Sequence, residues 1–252
     1  MIVGTLVMTV GVAIIAGLVG TSGGIYLAEF AGGSKFATVL RSGSEVLSGI
    51  PSIVFGFCGY LTLVIGLGWN FSLLPAVTVL SMLVVPYIAK ATELALDQVP
   101  TAFREGAEGL GMSKVYLLRK IVLRSALPGI LTGLIIALAI SVGETALLLY
   151  TAGFTNVFPS WALIGNKQSG NPLGYLTYAA FEFVDSTVPA EKNLAYDAAL
   201  ILVVLVLALV LSARLIVWLS QKYSPNRETR RRTRELASGR ATEELASGSS
   251  QD

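Results

Sequence analysis

Histidine is absent from this 252-residue sequence, which removes the commonest metal ligand and the commonest general base. The single cysteine, Cys58, cannot close an internal disulfide or form a CxxC site. Charge is scarce: 13% of the residues are Asp, Glu, Lys or Arg, where soluble domains carry about 25%. Zinc enzymes, Ser-His-Asp hydrolases and disulfide-stapled secreted domains are thereby excluded. No GxxxxGK[ST] loop is present to cradle a nucleotide. Apolar residues are what the chain has in quantity, at 54% hydrophobic with a mean hydropathy of +0.71. This is the composition of an all-α integral membrane protein.

A spanning helix needs about 20 mostly apolar residues to cross about 30 Å of hydrocarbon. Five stretches qualify: 2–20 (extendable to Phe30), 47–68, 71–89, 127–150 and 195–219. Five alternating spans put the loops 31–46 and 90–126 and the tail after 219 on one side. Those segments, with Arg214 just inside the margin of the last span, hold 16 of the 18 basic residues, leaving Lys167 and Lys192 opposite. By the positive-inside rule the C-terminus is cytoplasmic and the N-terminus external, in a multi-pass inner-membrane protein. The first stretch lacks the basic n-region of a signal peptide and exceeds its apolar core of about 7–15 residues, so it reads as a span. A start without cytoplasmic residues suggests a chain that begins late or a preceding helix.

The apolar region runs over 1–222, and residues 223–252 differ from it. Arg230–Arg231–Arg232 is followed by polar sequence in which Glu-Leu-Ala-Ser-Gly occurs at 235–239 and 244–248. Nothing there could bury a core, so a disordered cytoplasmic tail is expected. Its basic run reads as a solvated stop-transfer flank, or as a contact with anionic membrane lipid at about 1 kcal/mol per charge.

Between the third and fourth spans, Pro100 and Thr101 start a short helix over 101–112. Phe103, Ala107 and Leu110 fall on one face, with Arg104, Glu105 and Glu108 on the other. Gly111 closes it in the left-handed region, and Ser113 caps a second helix that enters the membrane through Val115, Leu118 and Val122. Alone, this could be a plain interfacial helix of about 16 Å. Glu105-Gly106-Ala107, Gly111 and Ile121-x-Leu123, however, resemble the EAA loop of type I ABC importer permeases, in spacing and largely in letters. Gly106 replaces the first alanine, and Arg124 stands where the family has proline.

Gly49-Ile50-Pro51-Ser52-Ile53-Val54-Phe55-Gly56, Ile25-Tyr26-Leu27-Ala28-Glu29-Phe30, Ala126-Leu127-Pro128-Gly129-Ile130-Leu131-Thr132-Gly133 and Gly143-Glu144-Thr145-Ala146 are similar to stretches of phosphate permeases of the PstA type. The resemblance covers the chain from near Met1 to about Ser224. It implies a type I permease fold with one more spanning helix upstream, no cofactor, no covalent chemistry and no nucleic-acid partner. It also implies four kinds of partner: phosphate, a dimer of ATP-binding subunits, a second homologous permease and an external phosphate-binding protein. The short helix would dock on the ATPase as a coupling helix. Glu105 would pair there, Gly106 would stand in for the alanine, Ala107 would permit close approach and Gly111 would set the turn.

Glu144 is read as the only acidic residue within a span, and intramembrane carboxylates usually face a cavity or a partner. Gly129, Gly133, Ala137, Ser141 and Thr145 form a ridge of small residues at four-residue spacing for close helix packing. Three readings of Glu144 stay open: accepting the P–OH proton of phosphate in a hydrogen bond, pairing with an arginine of the partner permease, or a purely structural pairing. Phosphate permeases often have arginine four residues earlier, where Ile140 stands here. Ser52 and Thr145 join Glu144 as pathway candidates, Ser52 because a helix starts or breaks near Pro51 and exposes N–H groups. Pro86 is an ordinary membrane-helix proline, Cys58 an apolar packer, and Trp161, Tyr175 and Tyr178 an interfacial aromatic belt. Rival readings are a type I permease for another oxyanion such as molybdate or sulfate, an intramembrane enzyme, or a membrane scaffold.

Overall fold

The computed structural model describes residues 1–32, 34–155, 164 and 170–223. Trp161, Lys167 and the tail from 224, with Arg230–Arg232, lie outside the described residues. Among the described residues the regular structure is helical: α1 (Ile2–Ile25), α2 (Lys35–Gly49), α3 (Ser52–Gly59), α4 (Leu73–Asp97), α5 (Thr101–Gly109), α6 (Lys114–Leu117), α7 (Leu123–Gly143), α8 (Ala146–Thr151), α9 (Leu176–Glu182) and α10 (Pro189–Tyr223). Wider π-helical turns extend α1 through Tyr26–Phe30 and α3 through Tyr60–Gly66, and join α6 to α7 through Leu118–Val122.

Four continuous helical stretches are long and apolar enough to cross a membrane: Ile2–Phe30, Leu73–Asp97, Lys114–Gly143 and Pro189–Leu219. The count rises to five if α2 and the α3 stretch to Gly66, bent through 98°, are taken together as one span. Here the expected boundaries need correction. The segment 31–46, read as a loop, is most of α2, which starts where Ser34 accepts a hydrogen bond from the Ala37 N–H at 3.2 Å. The stretch 47–68, read as one span, is interrupted at Ile50 and Pro51. A residue before proline is pushed to extended backbone, and Ile50 adopts ψ 132°. The stretch 127–150 is likewise broken, since α7 stops at Gly143 and a new helix begins at Ala146.

Contacts at glycines give the directions of packing. A Cβ on Gly11 would meet Val77, on Gly20 Ile88, and on Gly24 Ala89 and Thr92, so α1 and α4 run parallel. Gly129 faces Ala95 and Gly133 faces Ala91, so α7 runs antiparallel to α4. The ridge of small residues is therefore the α4–α7 seam, continued by buried Ala137 and Ser141. Thr145 does not belong to it, because the helix has ended two residues earlier.

The core divides in two. Val12, Ala16, Val84, Ile88, Ala137 and Leu147 belong to a central cluster. Leu96, Val99, Ala107, Leu117, Leu118 and Val122 belong to a second cluster at the end where α5 lies. Helix α10 keeps only 6% of its apolar window buried. Tyr175, expected in an exposed belt, is 1% exposed within the central cluster, and that burial holds its phenol protonated far above the ordinary tyrosine range. Cys58, expected to pack, is exposed on α3. Tyr178 is half-buried and stacks on Phe154 with centroids 4.3 Å apart.

Candidate functional site

The segment after α4 builds a protruding handle from few residues. Pro100, extended at ψ 136°, precedes the first turn of α5, where a missing N–H costs nothing because that donor would be unsatisfied anyway. The helix closes with two bonds, Met112 N–H to Ala107 C=O at 3.0 Å and Gly111 N–H to Glu108 C=O at 2.9 Å. This is the Schellman pattern, and it needs the left-handed φ of +68° found at Gly111. The next helix starts at Ser113, whose hydroxyl accepts from the Tyr116 N–H at 3.4 Å.

The faces of α5 are sorted differently from the simple apolar stripe. Ala107 is buried in the cluster formed with Leu96, Val99 and Leu117, so its small size seats α5 on its own chain. Phe103 and Leu110 are exposed at 50% and 76%. Glu105 and Gly106 are exposed as well, and a Cβ on Gly106 would meet nothing within 4 Å. Arg104, assigned to the solvent face with Glu105, instead reaches inward to Glu29. Its Nη1 donates to Oε2 at 2.8 Å and its Nη2 lies 2.7 Å from Oε1. That bond to Glu29 raises the guanidinium pKa further.

The opposite end carries the pathway candidates. Glu144 follows the last residue of α7 in extended conformation (ψ 122°) and is half-buried. Its C=O accepts from the Thr177 hydroxyl at 3.2 Å. Thr145 is the half-buried N-cap of α8. Helix α3 lies alongside α8, with Gly56 against Leu147 and Gly59 against Thr151. Both pairings ascend together, so α3 and α8 run parallel. Half-buried Ser52 begins α3 just after the break at Pro51, as Thr145 caps α8 just after α7 ends at Gly143. Glu144 is not the sole acidic residue in a span, as was expected: Glu29 and Glu93 lie in the longer helices, both buried. Glu93 pairs with Arg41 at 2.7 Å, beside a cavity of about 210 Å³ lined by Leu27, Arg41, Ser48, Pro86 and Ala89. Glu29 had been visible only as a letter in Ile25–Phe30. A carboxylate flanked by apolar residues at the end of a long apolar run was the signal that sequence reasoning passed over.

Residues 20–224 match the family described as binding-protein-dependent transport system inner membrane component. The chain belongs to this family. Among relatives, the phosphate transport system permease protein PstA 2 of Mycobacterium tuberculosis is 52% identical over 221 residues, 88% of this chain and 71% of that protein. The PstA protein of Xylella fastidiosa (strain Temecula1) is 35% identical over 211 residues, 84% of this chain and 71% of the relative. In structure, the fold resembles the inward-facing MetNI methionine ABC transporter, with a TM-score of 0.69 at 23% identity over 86% of this chain and 93% of that one. As an inner-membrane component of this family the chain is a multi-pass permease subunit. It is not an enzyme, and ATP hydrolysis is performed by a separate subunit.

Proposed function

We propose that this chain carries inorganic phosphate inward across the cytoplasmic membrane as one permease half of an ATP-driven importer. The observation that carries the substrate is the 52% identity to PstA 2, a phosphate transport system permease protein, over 88% of the chain. In this reading residues 1–222 are the transport unit, with the α5 end and the C-terminus cytoplasmic. An external phosphate-binding protein delivers the anion at the opposite end. A second, homologous permease completes the pathway, and lipid covers the apolar flank of α10.

Helix α5 is the coupling helix in this proposal. Its exposed Phe103, Glu105 and Leu110 enter a groove on one subunit of an ATP-binding dimer, Gly106 leaves that surface flat, and Gly111 holds the turn that makes the helix project. ATP-driven closure moves α5 as a rigid body and alternates access to the pathway. Phosphate at neutral pH retains a P–OH donor, and the Glu144 side chain offers an acceptor oxygen for it. Ser52 and Thr145, each at a helix start, offer hydroxyls and helix-start N–H groups to the anion's oxygens.

The test is phosphate uptake by proteoliposomes holding this chain, its partner permease and the ATPase subunits, with the phosphate-binding protein supplied on the external side and sulfate and molybdate as competitors. Glu105→Lys is expected to abolish uptake while the complex remains folded. Uptake indifferent to that charge reversal would remove the coupling role, and uptake blocked equally by sulfate would remove the phosphate assignment.

A further inference from the structure

Three cations from three different helices converge on two residues at the end of α1. From α2, Arg41 Nη2 donates to the Leu27 C=O at 3.0 Å. From α5, Arg104 brackets the Glu29 carboxylate at 2.7 and 2.8 Å. From the first turn of α6, Lys114 Nζ donates to the Glu29 C=O at 2.6 Å and sits over the Phe30 ring, 5.3 Å from its centroid. Local backbone geometry makes this convergence possible. The last carbonyls of a helix have no intrahelical partner, and the wide π turn, closed by Ala31 N–H to Tyr26 C=O at 2.9 Å, turns them toward the neighbours. Arg41 continues the chain of contacts, since its Nε donates to Glu93 of α4 at 2.7 Å. The Glu29 and Glu93 side chains are only 4% and 7% exposed.

We propose that the π-helical end of α1 is the junction through which movement of the coupling helix reaches the pathway, with Glu29 as its positioning residue. This rests on the function proposed above. The loop Gln98–Pro100 is the covalent link from α4 to α5. Buried Ala107 and the Arg104 Nη2 bond to the Leu96 C=O at 3.3 Å also hold α5 to α4, whereas the Arg104–Glu29 pair leads to a different helix. A carboxylate this deeply buried cannot part from its guanidinium without meeting low dielectric alone, so α5 and the end of α1 move as one body. From there Arg41 passes the displacement to α2, whose far end is the 98° bend before Ser52, and Glu93 passes it to α4. Glu29 touches no substrate in this scheme. It fixes how far the pathway helices travel for each stroke of the motor.

The experiment measures phosphate accumulated per ATP hydrolysed in proteoliposomes of the whole transporter, together with the unfolding temperature of each purified complex. Glu29→Gln and Arg104→Met are each expected to leave hydrolysis running while the ratio of phosphate to ATP falls by about tenfold, a typical coupling free energy. The double variant should be no worse than either single one, because both remove the same link. A merely structural role would lower the unfolding temperature and total activity but leave the ratio where it was, and that result overturns the proposal. Where Glu29→Gln does not assemble, Arg104→Lys is read instead. It keeps the charge and loses the two-pronged grip, so a ratio reduced about threefold supports the junction and an unchanged ratio overturns it. Wild-type vesicles that hydrolyse ATP without accumulating phosphate would overturn the transport reading itself, a failure distinct from normal uptake with an unchanged ratio in the variants.

Discussion

Adding one methyl group at Gly133 probes the seam on which α7 rides. A Cβ built there overlaps the Ala91 Cβ of α4, against an ordinary contact range of 3.4–4 Å, and four residues earlier a Cβ on Gly129 would come to 2.8 Å from the Ala95 Cβ. Gly133→Ala must therefore push α7 away from α4 over at least a full turn. Overpacking of this kind costs about 1–3 kcal/mol, offset in part by about 1 kcal/mol of better helix propensity. An overlap this severe falls at the upper end of that range and leaves about 2 kcal/mol, so at about 2–4 °C per kcal/mol for a chain of this size the complex should unfold about 4–8 °C lower. Ala91→Gly in the same chain removes the opposing methyl. The double variant has then exchanged one methyl across the seam and should return to within about 1 kcal/mol of the parent. The assay is thermal unfolding of the purified complex in detergent. A Gly133→Ala protein that melts with the parent, or a double variant no better than the single one, would mean that α4 and α7 do not meet along this ridge.

Two neighbouring glycines on α5 should respond in opposite directions. Gly106→Ala gains about 1 kcal/mol of helix propensity, because its Cβ would point into open space, and should raise the unfolding temperature. Gly111→Ala loses about 1–2 kcal/mol, because φ there is +68°, and Gly111→Asn should lose less. On the proposed function, burying the half of the Phe103 ring now exposed contributes about 1 kcal/mol to docking. Phe103→Ala should therefore weaken binding of the ATPase subunit about fivefold in a titration of the detergent-solubilised permease. Unchanged binding would place the docking surface elsewhere.

Much of the fold was legible because membrane helices announce themselves by length and apolarity alone. The α5 turn was legible in more detail: Gly111 and Ser113 carry local chemistry that no distant contact overrides, and both behave as their residue types dictate. The breaks were harder. Pro51 already reads as a helix start or break, though not as a turn of 98°, and α7 ends at Gly143 although the apolar run continues to Tyr150. Helix periodicity also misplaced Arg104. An amphipathic wheel assigns arginine to water, whereas a long side chain can turn inward if a buried carboxylate waits there, and the position of Glu29 depends on a parallel packing of α1 and α4 that no local pattern encodes. Tyr175 failed for the same reason. A loop aromatic looks interfacial until the loop is found folded into the top of the core.

The distribution of regular and irregular backbone bears on how such a chain could transmit force. Lys114–Gly143 forms one helical stretch of 30 residues, about 45 Å at 1.5 Å per residue, and Glu144 stands at its far tip. The two π turns nearest α5, Tyr26–Phe30 and Leu118–Val122, sit where α1 and the α6–α7 stretch approach it, and the third, Tyr60–Gly66, closes the bent span at the opposite end. Such turns carry an extra residue and bend more readily than α-helix. The π turns thus lie at helix ends, while glycines bring α1, α4 and α7 close along their middles. Among the described residues both ion pairs lie at the α5 end, where displacement would enter, and the broken backbone around Ser52 and Glu144 lies where it would be used. A membrane helix that only had to hold its place would gain nothing from that asymmetry, because buried ion pairs are seldom net stabilising.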